Sequence, residues 1–179
     1  MKVAICTSQA TDIDNKYIES SKEAIKYLAE NDFDLNWGGV GYSIMGICYD
    51  EFSKNNRNMK AYKTPKYLDD LKDIPKASHE VFDTTFDLKK NLFYESKVIV
   101  MLPGGIGSIS EFFSYLEEIR SNDADVKLIV YNESHHFDKM IELINDLIDR
   151  KFADKSIYNF FKIANNFNEF KEIIDEIKK

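Results

Sequence analysis

The sequence predicts an α/β fold, a Rossmann-like doubly wound parallel sheet with helices on both faces. Short runs rich in Val, Ile and Leu alternate along the chain with segments whose apolar residues recur at helical spacing. The apolar runs are nearly continuous, which is typical of strands that are buried on both faces of a sheet. In such sheets, ligands bind at the carboxyl ends of the strands.

Seven short apolar runs are predicted to be the strands of this sheet. The clearest is the fifth, a run of β-branched and other large apolar residues that stops at a proline. The third, fourth and seventh runs are weaker. In chain order, the predicted strands are Lys2–Cys6, Asp34–Trp37, Met59–Tyr62, Ser78–Asp83, Val98–Leu102, Lys127–Tyr131 and Phe161–Ala164.

Six segments between and after these runs are predicted to be helices, and the acidic, proline-containing segment Asp69–Pro75 is predicted to be a loop beside the site. In the first helix, apolar residues recur at intervals close to 3.6 at Ile18, Ala24, Ile25, Leu28 and Ala29. In chain order, the predicted helices are Asn15–Asn31, Ile44–Lys54, Asp87–Ser96, Ser108–Ser121, Phe137–Lys151 and Phe167–Lys178.

The composition indicates a single soluble domain that spans residues 1–179. A chain of this length buries roughly 70% of its unfolded surface, which is enough for a full core. The net charge of −7 argues against a nucleic-acid polymer as partner, because phosphate backbones require clustered Lys and Arg side chains. The apolar start is too short for a signal peptide, and no run approaches the ~20 residues of a membrane span. We therefore expect a cytoplasmic protein with no membrane partner, in which Cys6 and Cys48 are reduced thiols.

A glycine-rich turn follows the fifth predicted strand and leads directly into a helix. The segment reads V-I-V-M-L-P-G-G-I-G-S-I-S-E-F-F from Val98 to Phe113. Glycines let a ligand approach the backbone, and the free N–H groups at a helix N-terminus attract anions. The segment therefore predicts a phosphate-binding turn that contains Gly104, Gly105 and Gly107.

A second glycine cluster, W-G-G-V-G-Y-S-I-M-G from Trp37 to Gly46, follows the second predicted strand. Because the carboxyl ends of parallel strands share one edge of the sheet, the two clusters can line a single pocket. Neither cluster is a Walker A loop, since no Gly-Lys-Ser/Thr sequence follows it, and the turn after the first strand has no glycine. The sequence thus disfavours ATP hydrolysis and NAD binding, and we predict no cofactor.

Glu111 falls in the first turn of the helix that follows the glycine-rich turn. Two interpretations of this carboxylate are open: it complements the helix dipole, worth about 0.3–1 kcal/mol, or it faces a ligand and stabilises positive charge or activates water. His135 and His136, after the sixth strand, are either a solvated pair or a substrate contact. No residues have metal-ligand spacing, so no metal site is predicted.

These motifs resemble those of the Lonely Guy (LOG) family of cytokinin riboside 5′-monophosphate phosphoribohydrolases. Pro103–Glu111 matches the family pattern P-G-G-x-G-T-x-x-E, with Ser108 in place of the threonine. The glycine cluster Trp37–Gly46 is similar to Y-G-G-G-x-x-G-L-M-G, and Lys127–Asn132 is similar to K-P-V-x-L-L-N. The resemblance extends from Met1 to about Ile174. Some members carry the older label of lysine decarboxylase, but no feature of this sequence marks a pyridoxal-phosphate site.

The resemblance implies an enzyme that cleaves the N-glycosidic bond of AMP-type or cytokinin-type nucleotides, releasing free base and ribose 5-phosphate without a metal. Glu111 would be the catalytic carboxylate, and Ser108 would join the three glycines in holding the 5′-phosphate. The resemblance also implies a homodimer or larger homo-oligomer. The other predicted nucleotide-binding residues are Ser8, Gly38, Gly39, Gly41 and Met45.

The sequence departs from the family pattern in the helix before the signature strand. The family has M-x-x-R-K-x-x-M there, and its arginine is a partner of the glutamate. Ungapped alignment puts Leu88 at the arginine and Lys89 at the following lysine. Lys89 or Lys90 could replace the arginine only with a shift in the helix, and a lysine cannot form the bidentate fork of an arginine. Of the two, Lys89 is the predicted catalytic cation. Two alternatives are open: a non-catalytic nucleotide- or phosphate-binding protein of the same fold, and a glycosidase acting on another base or on a nucleotide sugar.

Overall fold

The computed structural model describes residues 1–179 and contains seven strands and six α-helices. The strands are β1 (Lys2–Cys6), β2 (Asp34–Trp37), β3 (Met59–Lys63), β4 (Ser78–Val81), β5 (Val98–Met101), β6 (Lys127–Tyr131) and β7 (Lys162–Ala164). The helices are α1 (Asn15–Glu30), α2 (Ser43–Lys54), α3 (Thr85–Tyr94), α4 (Ile106–Asn122), α5 (Asp138–Asp149) and α6 (Phe167–Ile177). Two 3₁₀ helices span Pro65–Asp73 and Lys155–Asn159.

All seven strands run parallel in one sheet, in the order β4-β3-β2-β1-β5-β6-β7. Starting from β1, strands β2, β3 and β4 are added in turn on one side, and strands β5, β6 and β7 are added in turn on the other. The direction of strand addition thus reverses between β1 and β5, and the predicted doubly wound fold is confirmed. Such a reversal opens a crevice at the carboxyl ends of the two strands, because their following connections leave toward opposite faces.

The two faces of the sheet are covered by separate hydrophobic cores. One core packs β-strand side chains such as Trp37 against α1, α2 and α6, and the other packs α3, α4 and α5 through residues such as Phe112. Cys6 and Cys48 are free and buried, as predicted. No helix has both the length and the apolar character that a bilayer-spanning segment needs.

The connection between β3 and β4 is more regular than predicted. The expectation of a loop at Asp69–Pro75 is wrong over most of that range, because Pro65–Asp73 forms a 3₁₀ helix. Pro65 suits its first turn, since the fixed φ of proline is nearly helical and no N–H is left without an acceptor. None of the residues in this helix is buried, so it has no continuous apolar face from which the sequence could have revealed it.

The start of α3 also differs from the prediction. The helix begins at Thr85, two residues before the predicted Asp87, because the Thr84 hydroxyl accepts a hydrogen bond from the Asp87 backbone N–H at 3.1 Å. Threonine is a favoured residue at this capping position, and its hydroxyl satisfies one of the free N–H groups of the first turn. The cap fixes the part of α3 that carries Leu88 and Lys89 next to the crevice.

Gly39, directly after β2, is required by the packing of the sheet. Its φ is +67°, and an added Cβ would lie 2.4 Å from the Ala61 Cβ of β3. We expect Gly39→Ala to destabilise the fold by about 2–4 kcal/mol in urea denaturation, since a left-handed backbone and a steric overlap are both penalised. Gly107→Ala is the matched control, because a Cβ there meets nothing within 4 Å. Equal urea midpoints for both variants would contradict this prediction.

Candidate functional site

A cavity of about 840 Å³ opens at the carboxyl edge of the sheet, next to the crevice between β1 and β5. Its size is within the usual range for small-molecule sites. Its walls come from the connections after β1, β2, β3 and β5 together with the start of α3. Eight of the sequence-predicted site residues line it, namely Ser8, Gly38, Met45, Lys89, Gly105, Gly107, Ser108 and Glu111.

The turns that follow β1 and β5 are tied together by hydrogen bonds. The Pro103 carbonyl accepts from the Thr7 hydroxyl at 2.9 Å and from the Ser8 backbone N–H at 3.1 Å. The Ser108 hydroxyl in turn donates to the Thr7 carbonyl at 3.3 Å. These bonds hold the start of α4 against the end of β1, so the glycine-rich turn has a fixed position at the edge of the cavity.

The N-terminus of α4 is left open toward the cavity. The helix begins at Ile106, earlier than predicted, because the Gly105 carbonyl already accepts from the Ile109 N–H at 3.1 Å. No side chain caps it, and the backbone N–H groups of Gly107 and Ser108 have no acceptor in the chain. Free N–H groups at the positive end of a helix dipole suit an anion such as phosphate.

Three predicted glycines, Gly39, Gly41 and Gly104, do not line the cavity. Each is needed where two backbone segments pack closely behind the wall. A Cβ on Gly104 would lie 2.2 Å from the Ser108 Oγ, and one on Gly41 would lie 2.7 Å from the Asp73 Cβ. These glycines shape the site indirectly, by letting the wall segments approach one another.

Glu111 is half-buried in the cavity wall, one helical turn after Gly107. Burial raises the pKa of its carboxyl to about 7, while the Cys6 thiol and the Lys89 ammonium act in the opposite direction. At neutral pH the carboxyl therefore holds its proton in part of the molecules. A group that exchanges a proton near the working pH is suited to acid–base chemistry.

The surroundings of Glu111 are mostly buried and carry few charges. Burial and the nearby Glu111 carboxylate raise the pKa of the Cys6 thiol well above its usual value. The Tyr115 hydroxyl is buried without a hydrogen-bond partner, and burial raises its pKa as well. The charge of the Lys89 ammonium lowers the pKa of Glu111, and the Lys89 Nζ donates to the Ser110 Oγ at 2.6 Å. No arginine reaches the cavity, since Leu88 lines it at the aligned position.

The cavity-lining residues that sequence reasoning did not select include Lys63, Asp70, Tyr42 and Tyr67. Lys63, at the end of β3, forms an ion pair with Asp70 of the first 3₁₀ helix, with Nζ and Oδ2 2.9 Å apart. Tyr42 and Tyr67 lie at the rim with 43% and 40% of their surfaces exposed. Lys63 directly follows the predicted strand Met59–Tyr62, and this position was an available signal, because strand ends face the ligand edge. Nothing in the local sequence marked Tyr42 or Tyr67 as site residues.

The two adjacent histidines have different environments. The His136 Nε2 lies 2.8 Å from the Gly104 carbonyl oxygen, and the ring packs edge-on against Tyr17. The His135 side chain is exposed, with Nδ1 3.3 Å from an Asp138 carboxylate oxygen. His136 thus contacts the glycine-rich turn at Gly104, and neither ring lines the cavity. No group of three or more His, Cys, Asp and Glu side chains is placed to hold a metal ion.

Solved structures with the same fold include proteins with several described roles. The structural-genomics target TM1055 superimposes with a TM-score of 0.71 at 16% identity, over 98% of both chains. A molybdenum cofactor carrier protein from Chlamydomonas reinhardtii gives 0.66 at 12% identity, over 99% of this chain and 98% of that one. A molybdenum cofactor binding protein from Rippkaea orientalis gives 0.60 at 16% identity, over 99% and 96%. These likenesses show the shared fold.

Sequence comparison identifies the family. A cytokinin riboside 5′-monophosphate phosphoribohydrolase from Mycobacterium tuberculosis (strain ATCC 25618 / H37Rv) is 23% identical over 154 residues, which are 85% of this chain and 82% of the relative. The family model described as possible lysine decarboxylase matches residues 45–174, a range that includes the glycine-rich turn, Glu111 and most of the cavity wall. The resemblance inferred from the motifs is confirmed, and the chain belongs to this possible lysine decarboxylase family, the LOG family.

Proposed function

We propose that the protein is a nucleoside 5′-monophosphate phosphoribohydrolase that cleaves the N-glycosidic bond of an AMP-type nucleotide. The products are the free base and ribose 5-phosphate. The observation that carries the proposal is Glu111, a carboxyl with a pKa near 7 in the wall of the cavity that also holds the open N-terminus of α4. The anion site and the proton-exchanging carboxyl lie one helical turn apart. This spacing suits a ribose 5-phosphate group, in which the phosphate is at one end and the glycosidic bond is on the other side of the ring.

The 5′-phosphate binds at the start of α4 in this proposal. The N–H groups of Gly107 and Ser108 donate to its oxygens, and the Ser108 hydroxyl can turn from the Thr7 carbonyl to donate as well, in place of the family threonine. Gly105 and Gly107 present no side chain at this surface, and a Cβ on either would project into open space. The backbone is therefore accessible to a bulky anion.

Glu111 acts on the ribose. Four residues separate it from Gly107, which is roughly 6 Å along a helix axis and comparable to the distance from a 5′-phosphate to the sugar ring. As the glycosidic bond breaks, positive charge develops on the ring, and the ionised carboxylate stabilises that charge or takes a proton from the attacking water. Lys89 keeps part of the Glu111 population ionised by lowering its pKa.

The proposal is tested by incubating the pure protein with AMP and measuring ribose 5-phosphate. We expect the native protein to release ribose 5-phosphate and the Glu111→Ala variant to release none. Thermal denaturation runs in parallel, and a ligand at 100 times its Kd should stabilise the fold by about 2.7 kcal/mol. Absence of both turnover and stabilisation with a panel of nucleoside monophosphates would overturn the proposal.

Leu88 favours a second candidate, a protein that binds a phosphorylated ligand and releases it unchanged. The side chain at the family arginine position is a hydrocarbon, so Glu111 lacks a guanidinium partner. Structural neighbours described as carrier and binding proteins of the molybdenum cofactor are consistent with this use of the fold. The same experiment separates the two candidates, because stabilisation by AMP without ribose 5-phosphate release supports the carrier.

A further inference from the structure

The β3 side of the cavity contains an ion pair between a buried lysine and a partly exposed aspartate. Lys63 and Asp70 both line the cavity, with side chains that are 2% and 20% exposed and Nζ and Oδ2 2.9 Å apart. The stem of Lys63 fits beside Gly39, where an added Cβ would lie 3.1 Å from the Lys63 Cε. Its backbone is fixed as well, since its carbonyl accepts from the Phe82 N–H at 2.9 Å.

A buried ion pair contributes little to stability. Removing two charges from water costs several kcal/mol per ion, and a hydrophobic replacement of similar volume is often neutral or stabilising. Because this pair lines the cavity and contributes little to stability, we infer that it contacts a ligand. After their mutual contact, the ammonium keeps two N–H donors and the carboxylate keeps unused acceptor sites. The pair is neutral overall, so it suits an uncharged polar group better than a second phosphate.

The distance along the sheet between β5 and β3 is comparable to the length of a nucleotide. β3 lies three strands from β5, which is roughly 14 Å at the usual strand spacing. A nucleotide whose phosphate is at α4 and whose ribose is beside Glu111 directs its base toward the β3 side. The rim residues Tyr42 and Tyr67 offer exposed aromatic faces on which a base can stack.

We propose that Lys63 and Asp70 recognise the hydrogen-bonding edge of the base and select a base without an apolar substituent on that edge. The inference rests on the proposed function and narrows its substrate class to unmodified nucleoside monophosphates. On adenine, the ring nitrogen accepts from the Lys63 ammonium, and the exocyclic amine donates to the Asp70 carboxylate. A hydrocarbon chain on that amine would be pressed against two desolvated charges, whose lost hydrogen bonds are not replaced.

The test measures affinity by calorimetry in a Glu111→Gln background, which keeps the nucleotide intact. The probes are AMP, N6-isopentenyl-AMP and ribose 5-phosphate, which has no base. We expect AMP to bind about 10- to 100-fold more tightly than N6-isopentenyl-AMP. The double variant Lys63→Met/Asp70→Leu removes both charges without stranding either one, and it should bring the ratio of the two affinities to about one or invert it. Ribose 5-phosphate should bind all variants within about twofold.

Lys72→Met/Asp69→Leu is the matched control. Both residues lie on the same segment, are exposed and do not line the cavity, so the preference for AMP should persist. Equal or tighter binding of N6-isopentenyl-AMP to the parent chain overturns the inference, as does an unchanged ratio in Lys63→Met/Asp70→Leu. If neither AMP nor ribose 5-phosphate binds, the proposed function itself fails and this inference falls with it.

Discussion

Replacing Glu111 with Gln is expected to lower AMP turnover by about 10²- to 10⁴-fold, the usual contribution of a positioned acid–base group. The amide keeps the size of the carboxyl but can neither hold a negative charge nor accept a proton from water. Because the phosphate and the base are held elsewhere in the proposed complex, the affinity for AMP should stay within a few fold. Initial rates of ribose 5-phosphate release and calorimetric titration measure the two quantities separately.

The pH dependence identifies which form of Glu111 acts. If the ionised carboxylate is the active form, kcat/KM rises as the pH passes through about 7 and levels off only at higher pH, once the carboxyl has lost its proton. An acid role would give the reverse, with activity falling as the pH rises through 7. The residual activity of Glu111→Gln should not show this dependence on pH. The comparison distinguishes titration of the Glu111 carboxyl from titration of the AMP phosphate, whose own second pKa is near 6.

Glu117→Gln is the control on the same helix. Glu117 is exposed, and a salt bridge with Arg120 lowers the pKa of its carboxyl, so this carboxylate stays ionised at neutral pH. It does not line the cavity, and turnover should be unchanged. Comparable losses in both variants, or native turnover in Glu111→Gln, would remove Glu111 from the proposed chemistry.

The order of elements and the glycine-rich turn were predictable because their sequence signals are local. A buried parallel strand, a glycine-rich turn and a helix start follow one another within Val98–Phe113, so their joint geometry is set by neighbouring residues. Glu111 falls within the same stretch. The 3₁₀ helix Pro65–Asp73 was missed because it has no buried face to create an apolar period.

The β3 side of the cavity depends on a contact that forms only when two consecutive elements pack together, and it was not predictable in the same way. Lys63 meets Asp70 only after β3 and the following 3₁₀ helix have folded together. The glycines illustrate a second obstacle, because sequence alone does not distinguish a glycine that faces a ligand from one that lets two backbones approach. Gly105 and Gly107 line the cavity, whereas Gly39 and Gly104 make room for Ala61 and Ser108.

Glu111 should also make the stability of the native chain depend on pH. The folded protein holds the Glu111 proton up to about pH 7, whereas the carboxyl has an ordinary value of 4.5 when it is exposed. Folding therefore favours the protonated form. The stability that this preference contributes is complete below about pH 4.5 and is lost as the pH rises through 7.

Glu111→Gln removes this dependence, because the amide stays neutral at every pH. We expect the variant to be more stable than the native chain by about 1–3 kcal/mol at pH 8 and nearly equal to it at pH 4.5. For a chain of this size, that difference raises Tm by about 2–4 °C per kcal/mol. Thermal denaturation of both proteins across pH 4.5–8 measures the effect.

Glu117→Gln again provides the contrast, because its pKa is shifted in the opposite direction. Its ionised form is the one that the fold favours, so the substitution should not raise Tm at pH 8. A Tm gain for Glu111→Gln that is as large at pH 4.5 as at pH 8 would show that the amide packs better, independently of charge. A gain confined to high pH, together with lost turnover, would mean that the fold holds a destabilising carboxylate where the chemistry needs one, as expected for a catalytic residue.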